Sequence, residues 1–127
     1  MEEKRLTCSP EVELNHACIM KNLETVRYIL KNYPNVNVNW ENSEHSHPLH
    51  QACIWGTREI VEELLKHPTI DISKKGIVQS TKISPLRRAI NYKKLNFIEE
   101  LIKYAVRNNI PKVINELSSH EKQKKSN

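Results

Sequence analysis

Two glycines, one phenylalanine and three cysteines in 127 residues set the first limits on this chain. With so little glycine, no glycine-rich loop can cradle a phosphate, and nucleotide-binding motifs of that kind are excluded. Three cysteines, an odd number at irregular spacing, make no disulfide framework, and a reducing compartment follows. No apolar run approaches the roughly 20 residues that cross a bilayer, so no membrane association is expected. The opening MEEKRLTCSP lacks the apolar segment of a secretory signal, which points to the cytoplasm, with the nucleus also open. Hydrophobic residues make up 38% and charged residues 28%, so the chain can build one modest core but not two.

Charge is unevenly placed. Residues 1–40 are net neutral, residues 41–80 carry −2, and residues 81–127 carry +7. That asymmetry would suit a polyanion or an acidic surface, met by Arg87, Arg88, Lys93, Lys94, Lys103, Arg107 and the lysine-rich tail. The plainer reading is a solvated helix face followed by a solvated tail, so nucleic-acid binding stands as the alternative and not the principal expectation.

What the chain does have is internal repetition, which decides the fold of a short helical protein more than composition does. The stretch SHPLHQACIWGTREIVEELL (46–65) holds a Pro-Leu-His turn, a short apolar helix, Gly56, and a second, amphipathic helix. Aligned on Ala52, two further copies emerge. Leu14-Asn15-His16-Ala17 matches Leu49-His50-Gln51-Ala52, and Ser84-Pro85-Leu86-Arg87-Arg88-Ala89 repeats the turn and the helix start. Nine residues after each alanine stand Val26, Val61 and Ile98; thirteen after stand Leu30, Leu65 and Ile102. The alanines are 35 and 37 residues apart. An alanine at this place lets neighbouring helices approach, and Leu14, Leu49 and Leu86 are expected to pack inward beside it. Thr25/Val26, Ile60/Val61 and Phe97/Ile98 form the apolar stripe of each second helix, together with Ile29/Leu30, Leu64/Leu65 and Leu101/Ile102.

These features resemble the ankyrin repeat. Its Thr-Pro-Leu-His-x-Ala start is met by His47-Pro48-Leu49-His50-Gln51-Ala52, and its Gly-x-x-Glu-Val-Val-x-x-Leu-Leu portion by Gly56, Glu59, Ile60, Val61, Leu64 and Leu65. Asn37-Val38-Asn39 and Asp71-Ile72-Ser73 stand where the family has Asp-Val-Asn. The resemblance implies an all-α solenoid of helix-turn-helix units with hairpin-like loops and capping helices. Repeats are expected over about 10–42, 43–79 and 80–109, with a capping helix at about 111–119 and a disordered basic tail at 120–127. Lys21 and Lys93 replace the family's glycine between the helices, which demands either a strained backbone or an altered turn. The loop Lys74 to Lys82 is about three residues longer than the family pattern.

Candidate chemistry is sparse. His16, His45, His47 and His50 with Cys18 and Cys53 invite a metal reading, but no Cys-x-x-Cys pair supports it and no metal or other cofactor is expected. Cys53 is expected to be buried, so it lacks the accessible, low-pKa thiol that nucleophilic catalysis needs. No enzyme is expected. The resemblance instead implies a protein partner, held by loop tips and by inner-helix positions two and three residues past the aligned alanine. Those positions are Ile19 and Met20, Ile54 and Trp55, and Asn91 and Tyr92, with Trp40, Glu44 and Ser46 from the first loop tip. Trp40 reads equally as an anchor or as packing. The expected protein is a monomeric adaptor or inhibitor.

Overall fold

A small polar residue stands ahead of most helices and caps the free N–H groups there. Ser9 Oγ accepts from the Val12 N–H at the head of α1 (Pro10–Ile19), 3.3 Å away. Asn22 Oδ1 accepts from Thr25 N–H (3.1 Å) at the head of α2 (Leu23–Asn32). Thr57 Oγ1 does the same for Ile60 ahead of α4 (Arg58–Leu65), and Ser84 Oγ for Arg87 ahead of α5 (Pro85–Asn91). α3 (Pro48–Trp55) starts differently. His47 makes no side-chain cap and donates from Nε2 to the Lys74 carbonyl at 2.8 Å, tying the helix start to the following loop. Proline opens α1, α3 and α5, where its missing N–H costs nothing. α6 (Leu95–Arg107) is the longest helix. The computed structural model from which these elements are taken describes residues 9–44, 46–78 and 80–115.

The six helices form three antiparallel pairs stacked side by side. Inner helices α1, α3 and α5 neighbour one another in order, and outer helices α2, α4 and α6 do likewise. Ala17, Ala52 and Ala89 lie where the inner helices meet, at 2%, 0% and 0% exposure. Leu14, Leu49 and Leu86 are buried beside them. Val26, Ile29, Val61, Leu64 and Leu101 supply the outer helices' share of one continuous core. Salt bridges join successive outer helices at the surface: Arg27 to Glu63 (3.4 Å) and Arg58 to Glu100 (2.7 Å). Exposed pairs of this kind add little to stability.

The loops stack as well. Val36, Val38, Ile70 and Ile72 are buried beneath them. Asn39 clips one loop to the next: its Nδ2 donates to the Thr69 carbonyl (2.8 Å), and its Oδ1 accepts from Asp71 N–H (2.9 Å). The extra residues of the next loop form an antiparallel hairpin, β1 (Gly76–Val78) with β2 (Thr81–Ile83), pairing Gly76 with Ile83. A last helical segment runs over 111–115, with Val113 buried. Residues 116–119 of the expected cap and the tail 120–127 lie outside the described residues.

The turns inside the pairs reverse a simple expectation about glycine. After α1, Lys21 takes a left-handed φ of 59°; its N–H reaches the Cys18 carbonyl and the Asn22 N–H reaches Ala17. Lys93 repeats this after α5 with φ 55°, as does Asn109 after α6 with φ 54°. Three helices therefore close on the same hydrogen-bonded left-handed turn without glycine. Gly56 is the exception: φ is −78° and ψ −169°, an extended conformation open to any residue. Its need is for space, because a Cβ there would lie 2.8 Å from the Ala52 oxygen and 2.9 Å from the Ala52 Cα. Lys93→Gly is expected to stabilise by about 0.5–1 kcal/mol through relief of the left-handed strain. Gly56→Ala should destabilise by roughly 1–3 kcal/mol through overpacking. Urea unfolding of both variants checks the pair of signs.

Candidate partner-binding surface

Stacking three inner helices brings equivalent positions into rows. Three residues past each aligned alanine stand Met20, Trp55 and Tyr92, exposed to 62%, 51% and 51%. Each closes its helix: Met20 and Tyr92 as the C-cap residues of α1 and α5, and Trp55 as the last residue of α3. The three occupy equivalent positions in the three repeats. Exposed Lys21 follows Met20, and exposed Lys93 and Lys94 follow Tyr92.

One position earlier the expectation needs correcting. Ile54 is only 5% exposed, because α3 is the middle inner helix and has neighbours on both sides. Ile19 is half-buried, and Asn91 is exposed. In the first loop tip Glu44 is exposed and Trp40 half-buried, while Ser46 is buried. Asn42 Oδ1 accepts from the N–H groups of both Glu44 and Ser46, and the Asn42 N–H reaches the Ser46 carbonyl, which folds Ser46 inward. Met20, Trp55, Tyr92 and Asn91 are thus exposed at the ends of their inner helices, whereas Ile54 and Ser46 are buried.

Among the basic residues of the last third, Arg88 and Lys103 are engaged within the fold. Arg88 is turned inward, its Nη1 donating to His50 Nδ1 at 2.6 Å, and its guanidinium also bonds the Tyr92 side chain. Lys103 is paired with Glu99 at 3.1 Å. Lys93, Lys94 and Arg107 are exposed. A groove of about 490 Å³ between the ends of α4 and α6 had no signal in the sequence; its Glu62 and Glu100 both already bind Arg58.

The thiols and imidazoles have structural surroundings. Burial pushes the Cys53 thiol up to about 12 and lifts Cys18 above the ordinary thiol range, so neither is an activated nucleophile. Among the described residues no group of three His, Cys, Asp or Glu is placed to hold a metal ion. Cys8 and His45 lie outside the described residues. His47 and His50 are fully buried with ring centroids 5.4 Å apart. Burial lowers His47 to about 4, and burial together with the Arg88 cation lowers His50 to about 3.

Three copies of a pattern now have matching helix pairs, and two of the three share the left-handed turn between them. The family model described as Ankyrin repeats (3 copies) matches residues 9–76. No curated protein matches the chain.

The buried histidines predict how stability depends on acid. Both imidazoles titrate lower in the fold than their ordinary 6.5, so the unfolded chain binds more protons between those values. Their neutral-state contribution is complete above about pH 6.5 and is lost as pH falls below it. Stability measured by urea at pH 4.5 should be lower than at pH 7 by roughly 2–5 kcal/mol. A His47→Gln/His50→Gln variant should lose most of that slope. A wild-type curve flat across this range would contradict the burial of neutral rings.

Proposed function

The chain belongs to the ankyrin-repeat family, and from that premise we propose a non-enzymatic protein-binding module that acts as an adaptor or an inhibitor. Ankyrin repeats are in general protein-protein interaction modules. The observation that carries the reading here is the row of Met20, Trp55 and Tyr92, half or more exposed on three successive inner helices. Methionine, tryptophan and tyrosine are enriched at interfaces, and a contiguous apolar row on a surface calls for a partner. Asn91 and Glu44 extend the surface at its borders, and Trp40, half-buried in the loop tip, is included with them. The basic residues 87–107 count less, since Arg88 and Lys103 already have partners within the fold. Two buried, unpaired thiols accord with a reducing compartment, and among the described residues no helix is long and apolar enough to cross a membrane.

A pulldown from cell extract with wild type against the Met20→Ala/Trp55→Ala/Tyr92→Ala variant tests the reading. All three side chains are at least half exposed, so the variant should keep its helical circular dichroism, with only the small drop in melting temperature that loss of the Tyr92 bond to Arg88 brings. The expected outcome is a protein retained by wild type and lost by the variant. Identical recovery with both would show that the row is not the binding surface.

A further inference from the structure

The outer helices carry a seam six, nine and thirteen residues past the aligned alanine, apolar throughout in α2 and α6 and interrupted by Arg58 in α4. In α2 the seam is Leu23, Val26 and Leu30, with Val26 at 0% exposure and the other two packed against the core. In α4 it is Arg58, Val61 and Leu65, with Val61 at 0% and Arg58 bound to Glu62 and Glu100. In α6 it is Leu95, Ile98 and Ile102, and the longer helix adds Val106. Leu95 is 75% exposed and Val106 63%, while Ile98 and Ile102 are only partly buried. The inner helices follow suit: Cys18 and Cys53 are fully buried one residue past their alanines, but the equivalent Ile90 is not.

At about 100° per residue, Leu95, Ile98, Ile102 and Val106 fall within an arc of about 80° on α6. That is the spacing of a helix seam that meets another helix. Among the described residues, Leu95 and Val106 are left largely uncovered. The seam is complementary to its own reverse. Laid antiparallel about a two-fold axis near residue 100, Leu95 meets its mate's Val106, Ile98 meets Ile102, and Glu99 meets Lys103. The Lys103–Glu99 pair within one helix (3.1 Å) would join the reversed pair of its mate in a four-charge cluster. We propose that the α6 seam is a self-association surface, on which a second copy of this chain docks with its own α6 antiparallel. This replaces the monomer expected from the sequence, and leaves the Met20/Trp55/Tyr92 row free on each copy.

Sedimentation of the 14.9 kDa chain in about 150 mM salt, where exposed charges beyond about 8 Å are screened, tests the proposal. The seam is short, so a reversible dimer should appear as concentration rises from about 10 µM to about 1 mM. Leu95→Glu/Val106→Glu should hold the chain at monomer mass with an unchanged melting temperature, because both side chains are exposed. Glu99→Lys alone and Lys103→Glu alone should each weaken the dimer by roughly two- to five-fold, and the double exchange should restore it. A monomer at every concentration overturns the proposal. If the glutamate variant also melts lower as a monomer, the seam is covered by the chain's own residues and the proposal fails. A dimer unaffected by the glutamates fails it too.

Discussion

The close approach of three inner helices at Ala17, Ala52 and Ala89 is the constraint on which the rest depends. One helix pair alone cannot cover its own apolar face, so each borrows its core from the next. Small side chains at the crossing let Leu14, Leu49 and Leu86 reach the shared interior, and the outer helices then close over Val26 and Val61. The loop clip made by Asn39 and the bond from His47 to Lys74 follow from the same stacking, since each joins a loop to the one beside it. So does the surface: equivalent side chains stand in rows because equivalent helices do.

The repeat itself was legible because it is a matter of spacing. Alanine, leucine and valine recur at fixed intervals, and the structure puts them at the crossings as periodicity requires. Ser84-Pro85 was legible as a helix start for a similar reason, since capping is local chemistry. What escaped the sequence was decided by neighbours. Ile54 and Ile19 occupy the same place in their repeats, yet the middle one is covered from both sides. Gly56 reads as the residue that permits a left-handed turn, but Lys21 and Lys93 take that turn and Gly56 makes way for Ala52. His47 stands where a threonine cap was to be expected, and its partner is 27 residues further along the chain. The exposure of Leu95 and Val106 could not be read from residues that look like core, because it depends on what packs against α6.

The two ends of the molecule differ in a way that bears on function. At the first repeat Thr25 stands where the second and third have Ile60 and Phe97, a polar side chain in an otherwise apolar position. At the third repeat the apolar positions are kept and even enlarged, with Ile90 in place of the cysteines. Between these ends the Met20, Trp55 and Tyr92 row is presented on helix termini held by buried leucines and hydrogen-bonded turns. Side chains held this way would not have to be ordered on meeting a partner.

The most direct test of the close-approach constraint is the stability of an Ala52→Leu variant. Ala52 has no exposed surface, and its helix is packed between α1 and α5. Urea unfolding should show a loss of about 1–3 kcal/mol, the size expected for overpacking a filled interior. Stability equal to wild type would mean that the inner helices do not meet at the alanines, and the account of both the core and the row would fall with them.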